Sequence, residues 1–286
     1  MFKRTHPAWA LFALAGYLLG PGLVRYLGRP LSGWTFSLGS AWTLLLFLSF
    51  GLLLEVFHPR PTESENDPAT RQRRRTLLLV LGSALFMLAG WMAFLFLAQP
   101  LPQRPLLFLF SGLITLLGLA CVLPPFQLLR RGWGEFVLAI LIADLLPSFG
   151  YLLLQGEIHR FLAFLAFPLT LLTLAFFLAQ NFITFAGDQK HGHLSLLQRL
   201  SWPRGVILHQ SFLVTGYLFF LAAPLFGFSL RLLAPLFLAA PFAAIQAYLI
   251  HSLAQGAPAR WRLLNPLSYI HLALLFYLLL VRLWIG

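Results

Sequence analysis

Residues 180–200 read QNFITFAGDQKHGHLSLLQRL, and they mark the place where a long apolar segment gives way to a polar one. Within them, Asp188, Lys190, His191 and His193 bring an acid, a base and two imidazoles into six residues. Polar side chains beside a membrane are costly unless something uses them. This stretch is therefore the first place to look for a functional site, and we predict that it is a polar loop at a membrane surface.

The composition places the whole chain in a membrane. Of its 286 residues, 59% are hydrophobic and only 10% are charged, and the mean hydropathy is +0.83. These values lie outside the range of soluble domains. A hydrocarbon core about 30 Å thick is crossed by about 20 apolar residues in a helix. Nine such segments can be placed, at residues 9–26, 34–57, 76–98, 105–122, 135–154, 161–181, 206–226, 230–251 and 267–285. The runs lack the alternation of membrane β-strands, so we predict one all-α, polytopic membrane domain over residues 1–286.

The basic residues predict the orientation of this domain. A formal charge of +12 is also found in proteins that bind nucleic acid, but basic residues in membrane proteins mark the cytoplasmic loops. If the N-terminus is inside, 14 of the 20 Lys and Arg residues fall on the cytoplasmic side. We therefore expect a cytoplasmic N-terminus, an outside C-terminus and no nucleic-acid partner. The polar cytoplasmic loops are then at about residues 58–75, 124–134, 182–205 and 252–266.

Several common chemistries lack their usual motifs. The sequence contains no G-x-x-x-x-G-K-[ST], no H-E-x-x-H, no paired C-x-x-C and no G-x-S-x-G with triad partners. Cys121 is the single cysteine and lies in an apolar run, so it cannot form a disulfide within the chain. Nucleotide hydrolysis, zinc proteolysis and thiol redox chemistry are therefore not supported by the sequence.

Carboxylates lie in or next to two polar loops that we expect on the same membrane face, after the second and sixth apolar segments. They are Glu55, Asp67 and Asp188. Because Mg²⁺ takes one or two carboxylates from a protein and bridges to phosphate oxygens, this pattern suits a diphosphate held by magnesium. The cations expected nearby are Lys190, Arg130 and Arg131. They could bind the phosphates directly, and an apolar bundle beside them would hold a hydrocarbon tail.

Local sequence landmarks point to a family. Residues 124–157 read PPFQLLRRGWGEFVLAILIADLLPSFGYLLLQGE, and this stretch resembles the Pro-Pro, basic-Gly-x-Gly-Glu and Gly-Tyr…Gln-x-Gly landmarks of dihydroxynaphthoate polyprenyltransferases of menaquinone synthesis. These enzymes are a branch of the UbiA superfamily of membrane prenyltransferases. The residues that fall in register with the second Asp-rich motif of the superfamily are Gln180, Asn181, Asp188, Gly192, Ser195 and Leu196. The resemblance implies nine transmembrane helices, with Asp-rich cytoplasmic motifs after helices two and six.

The chain departs from both Asp-rich motifs of that superfamily. In the second motif, Thr184 stands in place of the first Asp and His193 in place of the Lys. The first motif is replaced by Gly51, Leu54, Glu55 and His58. Asp67, which follows Asn66, could be a displaced substitute.

The resemblance also implies roles for particular residues. It assigns Mg²⁺ binding to Asp188, Glu55 and Asp67, with Lys190 assisting Asp188 and Glu55 in catalysis. The residues that it assigns to the diphosphate are Arg130, Arg131, Lys190 and Asn181. It further implies a polyprenyl diphosphate and an aromatic acceptor as substrates, and a prokaryotic cytoplasmic membrane as the location.

Two functional hypotheses remain open on the sequence. The first is an active prenyltransferase that uses these residues. The second is a UbiA-fold subunit without catalysis that binds a lipid, quinone or pigment in a larger membrane complex. The second is motivated by the loss of aspartates from the two Asp-rich motifs and by three additional histidines near them, His58, His191 and His193. Asp144 lies inside the fifth apolar segment, and an intramembrane acid is a functional candidate, which would also suit a transporter. Glu135 begins the same segment, where helix capping would explain it.

Overall fold

The computed structural model describes residues 6–57, 68–98, 104–190 and 194–286, and these ranges contain helices but no β-strand. Nine helical segments in them are long and apolar enough to cross a membrane. The predicted all-α architecture with nine spans is therefore confirmed.

The first four spans are single helices, α1 (His6–Tyr26), α2 (Gly33–Phe57), α3 (Pro68–Leu97) and α4 (Arg104–Val122). The fifth span, Gly134–Gln155, consists of α5 (Gly134–Ile140), a π-helical turn (Leu141–Leu145) and α6 (Leu146–Gln155).

The sixth span is α7 (Arg160–Lys190), and the short helix α8 (Leu196–Leu200) follows it. The seventh span is α9 (Trp202–Leu221), which is followed by a 3₁₀ turn (Ala223–Phe226). The eighth span, Leu230–Ala254, joins α10 (Leu230–Leu233), a 3₁₀ segment (Ala234–Ala239) and α11 (Ala240–Ala254). The ninth span is α12 (Trp261–Trp284).

Several predicted loops are shorter than expected because the helices outlast the apolar runs. Residues 182–190 belong to α7, residues 68–75 to α3 and residues 261–266 to α12. Helical backbone hydrogen bonds do not require apolar side chains, and Ala, Arg, Gln and Leu in these extensions are good helix formers. The prediction that Asp188 and Lys190 lie in a loop is therefore wrong, since both are on the last turn of a helix.

Glycines bring the first and fifth spans into direct backbone contact. A Cβ atom on Gly20 would lie 2.3 Å from the carbonyl oxygen of Pro147 and 2.4 Å from the amide nitrogen of Tyr151. One turn away, a Cβ atom on Gly16 would lie 2.2 Å from the carbonyl oxygen of Ile142, within the π-helical turn. Small residues at this spacing allow close helix packing in membranes. The two spans therefore cross with no side chain between them at these points.

Aromatic side chains fill much of the interior. The Trp42 ring lies 4.8 Å from that of Phe149 and 5.8 Å from that of Phe96, measured between centroids. A second group forms where Phe176 contacts Phe12 at 5.6 Å and Tyr269 at 5.0 Å. Such pairs join the second, third and fifth spans in one region and the first, sixth and ninth in another. The bundle is held together across its centre by aromatic packing.

Candidate functional site

The carboxylates predicted for the site lie at one end of the bundle. At this end the second, fourth, sixth and eighth spans end, and the third, fifth, seventh and ninth begin. We call it the site end and the opposite end the far end. Glu55 is near the end of α2, Glu135 is in the first turn of α5, and Asp188 is in the last turn of α7.

One face of α7 presents a row of polar side chains at the site end. Asn181, Thr184 and Asp188 are spaced by three and four residues, so they share a helix face. The Thr184 Oγ1 hydroxyl donates to Asp188 Oδ2 at 2.6 Å. Asp188 is only 8% exposed, and Asn181 is also buried. Thr184 therefore orients the one acid that remains of the motif pair.

Glu135 completes this row from the neighbouring span, and sequence reasoning missed it as a site residue. Its carboxylate is 5% exposed, and Oε1 accepts a hydrogen bond from Asn181 Nδ2 at 3.1 Å. Glu135 lies in the first turn of α5, where a carboxylate suits the helix dipole, and the hydrogen bond from Asn181 adds a contact with the sixth span that capping does not explain. Its position in the basic-Gly-x-Gly-Glu landmark was the signal available in the sequence.

Glu55 is engaged by an arginine of the next helix. Its Oε2 atom lies 3.3 Å from a guanidinium nitrogen of Arg74, and both side chains are partly exposed. Among the described residues, no three His, Cys, Asp or Glu side chains come together as a possible metal cluster. The structure therefore does not unite Glu55, Glu135 and Asp188 into one metal centre.

The arginine pair predicted to bind diphosphate lies in a loop that docks on the segment after α7. The Arg130 carbonyl accepts from the Leu194 amide at 3.1 Å, and the Arg131 carbonyl accepts from Arg199 Nε. The Arg131 guanidinium donates to the Pro125 carbonyl at 3.0 Å. The Arg199 guanidinium also lies 5.4 Å from the centre of the Trp133 ring. These bonds fix the loop between α4 and α5 relative to the exit of α7.

Gly132 makes this docking possible. Its φ is +73°, and a Cβ atom on it would lie 2.9 Å from the Ser195 carbonyl carbon. A residue with a side chain would be strained there in both conformation and space. Both Arg130 and Arg131 are exposed, as is Lys190 at the end of α7, so their charges are available at the membrane surface.

Asp144 lies apart from the row formed by Glu135, Asn181 and Asp188, and its functional role stays a prediction. It lies in the π-helical turn in the middle of the fifth span and is half-buried. Nine residues separate it from Glu135, or about 14 Å along a helix. Its carboxyl group lies beside the Ser148 hydroxyl. Four other predicted site residues, His58, Asp67, His191 and His193, lie outside the described residues, and their roles stay predictions.

No protein-family model and no curated protein sequence matches this chain. Solved structures do match it. A UbiA homologue from Archaeoglobus fulgidus bound to DMAPP and Mg²⁺ superposes with a TM-score of 0.66 over 96% of both chains, at 15% identity. The chain has the UbiA fold.

Two further structures agree. The apo structure of a UbiA homologue from Aeropyrum pernix K1 gives a TM-score of 0.57 at 16% identity, over 98% of this chain and 97% of the homologue. A structure described for digeranylgeranylglyceryl phosphate synthase gives 0.58 at 14% identity, over 97% and 93%. The resemblance to the UbiA superfamily is thus confirmed at the level of the fold. The likeness to its dihydroxynaphthoate branch stays a prediction.

Proposed function

We propose that this protein is a membrane prenyltransferase, which transfers a polyprenyl group from an allylic diphosphate to an aromatic acceptor of the quinone type. The observation that carries the proposal is the row of buried Glu135, Asn181 and Asp188, joined by Thr184, at the site end of a UbiA fold. Buried carboxylates are costly unless they are paired or used. UbiA homologues with the same fold bind GPP or DMAPP together with Mg²⁺, which supports the same ligand class here.

The acids at the site end fit Mg²⁺ only when a bound diphosphate supplies further oxygen ligands. Mg²⁺ commonly takes one or two protein carboxylates and completes its shell with phosphate oxygens and water. Asp188, oriented by Thr184, is a suitable protein ligand of this kind, with Glu55 and the predicted Asp67 as further acids. No metal cluster is formed by the described side chains alone. When bound, the ion would neutralise charge on the departing diphosphate.

The chain's own cations would position the diphosphate. Lys190 follows Asp188 by two residues, and Arg130 precedes the span that carries Glu135. Arg130 and Lys190 are both exposed at this end, and charge-assisted bonds to phosphate oxygens are stronger than neutral ones. Arg131 is partly committed to the Pro125 carbonyl, so we assign it the smaller part. Asn181 keeps Glu135 in place beside the diphosphate.

The reaction is a substitution at the allylic carbon. The carbon–oxygen bond breaks and its electron pair leaves with the diphosphate. A ring carbon of the acceptor then forms a bond to the allylic carbon, and the proton of that ring carbon is lost to a base. Holding both reactants in one geometry supplies much of the rate enhancement in such reactions.

A second candidate function is binding without catalysis, as a lipid-, quinone- or pigment-binding subunit of a membrane complex. Two observations favour it. Glu55 is bonded to Arg74, and aromatic residues such as Trp42, Phe149 and Phe176 pack the interior of the bundle. An acid that is already paired and a filled interior both suit a protein that binds without turnover.

The deciding experiment measures the binding of geranyl diphosphate to the detergent-purified protein, with Mg²⁺ and with EDTA. We expect binding that requires Mg²⁺ and weakens at least tenfold in Asp188→Asn, because a charged ligand of the ion becomes neutral. Asp144→Asn is the matched control, since it removes an acid from outside the site, and it should bind as the wild type does. Equal binding by wild type and Asp188→Asn would refute the assigned site.

Catalysis is tested separately by diphosphate release in the presence of hydroxylated aromatic acceptors. Release that requires the acceptor supports the transferase. Magnesium-dependent binding without release, over a panel of naphthoate and benzoate acceptors, would favour the binding subunit instead.

A further inference from the structure

A groove opens at the far end of the bundle, between α7 and α9 and away from the proposed diphosphate site. Its volume is about 380 Å³. It is lined mainly by one arginine and five phenylalanines, which are Arg160, Phe164, Phe167, Phe219, Phe226 and Phe228. We call it the phenylalanine groove.

The walls of the groove are pre-formed by ring contacts. Phe164 lies 4.9 Å from Phe228 and 5.3 Å from Phe226, and Phe167 lies 4.5 Å from Phe219, measured between ring centroids. Such offset and tilted pairs are the favourable arrangements of aromatic rings. The rings therefore hold one another in place around the groove.

The chain reversal after α9 supplies two of these rings. Residues Ala223–Phe226 form a 3₁₀ turn, which ends at Gly227 with φ of +79°. Glycine adopts this left-handed conformation without steric cost. The turn thereby brings Phe226 and Phe228 back against α7.

Arg160 lies at the mouth of the groove as the first residue of α7. It is exposed, and its guanidinium carbon lies 5.6 Å from the centre of the Phe228 ring. No carboxylate of the described residues forms an ion pair with it, since the nearby Glu157 is bonded to Arg29. The mouth of the groove therefore offers a cation to an anionic group.

The order of residues along the groove, with a cation at one end and apolar rings further along, matches the polar head and apolar tail of an amphiphile. Arg160, Phe164 and Phe167 are spaced by four and three residues, so they share one face of α7. Phe167 follows Arg160 by seven positions, or about 10 Å along the helix axis. Arg160 is at the start of the span, where lipid head groups lie, and Phe167, which is 48% exposed, is at the depth of the hydrocarbon.

We propose that the phenylalanine groove binds an anionic phospholipid, with the head-group phosphate on Arg160 and one acyl chain along Phe164 and Phe167. The charge of Arg160, its place at the end of the span, and the exposed Phe167 ring further along the same helix face all favour this occupant. The proposal does not depend on prenyl transfer, because the groove is at the opposite end from Asp188.

The test compares lipids on the purified protein in an uncharged detergent. Phosphatidylglycerol and phosphatidylcholine with the same acyl chains are added in turn, and retained lipid is counted by native mass spectrometry while the unfolding temperature is recorded. We expect the wild type to bind phosphatidylglycerol about tenfold more tightly, because its head group has a net negative charge for Arg160, whereas the choline cation of phosphatidylcholine offsets the charge of its phosphate. Equal retention of the two lipids by the wild type would overturn the proposal.

Variants locate the site. Arg160→Gln should remove the preference, and Arg160→Lys, which keeps the charge, should largely retain it. Arg25→Gln is the matched control, because Arg25 also lies over an aromatic ring at the far end, that of Trp284, but does not line the groove. Its preference should equal that of the wild type. Retention of the preference in Arg160→Gln would contradict the assignment.

Two further measurements distinguish binding of the lipid head group from binding of the acyl chain. Phe167→Ala should weaken retention of both lipids and leave the preference unchanged, since it shortens only the apolar wall. Free inorganic phosphate should not reproduce the rise in unfolding temperature. If it does so at the same concentration as phosphatidylglycerol, the site recognises an anion alone, and the phospholipid proposal fails.

Discussion

At the scale of single residues, the candidate site depends on a buried hydrogen bond between two spans, from Asn181 to Glu135. Asp188 and Asn181 were predicted from motif register, and the structure buries both on one face of α7. Glu135 was interpreted as a helix cap; it does lie in the first turn of α5, and its carboxylate also accepts a hydrogen bond from Asn181. This contact joins residues 46 positions apart. Hydropathy places a residue along a helix, but it does not say which helix lies beside it.

The far end offers a residue-scale prediction about pH. His159 lies in the connection before α7, and its Nδ1 atom accepts from the Phe161 amide at 3.2 Å. Partial burial lowers the pKa of His159 below its ordinary value, and the positive charges of Arg29 and Arg160 lower it further, while Glu157 opposes them. The folded protein therefore binds this proton less readily than the unfolded chain.

We expect His159 to destabilise the folded state as the pH falls. Its contribution is fully favourable above the unfolded pKa of about 6.5 and is lost as the pH falls through that value toward the lowered pKa. His159→Asn keeps an acceptor for the Phe161 amide but cannot take up the proton. The unfolding temperature of the wild type should fall more than that of His159→Asn between pH 7.5 and pH 5.5. Parallel curves for the two proteins would contradict this account.

At the scale of helices, the number and order of spans could be predicted, but their ends could not. The apolar run of the third span begins near Thr76, yet α3 begins at Pro68. Likewise, α7 continues to Lys190, beyond the apolar run that ends near Asn181. The apolar run shows which residues lie within the membrane. A helix, in contrast, ends where its backbone hydrogen bonds end, so it can extend beyond the apolar run. The extension of α7 matters for the site, because it places Asp188 on the same helix face as Asn181.

The crossing of the first and fifth spans gives a prediction at this scale. Gly20→Ala should destabilise the protein by about 1–3 kcal/mol or more, because overpacking a tight contact strains the structure and the added Cβ would meet backbone atoms of Pro147 and Tyr151. Gly90→Ala on α3 is the matched control, since a Cβ there meets no atom within 4 Å. Unfolding in mixed detergent micelles should show the loss in the first variant alone. Because Ala favours a helix more than Gly does, helix propensity alone would stabilise both variants, and a loss of equal size in both would contradict the role given to the crossing.

At the scale of the whole molecule, composition was sufficient for the fold class and insufficient for the interior. The predicted nine spans and UbiA fold are confirmed. The arrangement that packs Trp42 against Phe149 and Phe96 could not be predicted, because every span is apolar on most faces. In a bilayer, apolar side chains face lipid and protein alike. A hydrophobic pattern therefore marks the membrane without showing which face of a helix is inside.

The orientation of the molecule is the last prediction. The site end carries Arg71, Arg73, Arg74, Arg75, Arg130, Arg131, Lys190, Arg199, Arg204, Arg260 and Arg262, whereas the far end carries Arg25, Arg29, Arg104, Arg160, Arg231 and Arg282. Since basic residues are retained on the cytoplasmic side, we expect the site end to face the cytoplasm. A soluble diphosphate donor or a cytoplasmic acceptor would then reach Asp188 directly.

Cysteine labelling in intact bacterial cells tests this orientation. The single natural cysteine, Cys121, is buried and is first replaced by Ala. Arg231→Cys then reports on the far end and Arg71→Cys on the site end, since both side chains are exposed. A membrane-impermeant maleimide should label Arg231→Cys in intact cells and Arg71→Cys only after permeabilisation. The reverse pattern would contradict the orientation, because it would place Asp188 outside the cell. Cytoplasmic diphosphates could not reach Asp188 there, so the same result would also count against the prenyltransferase.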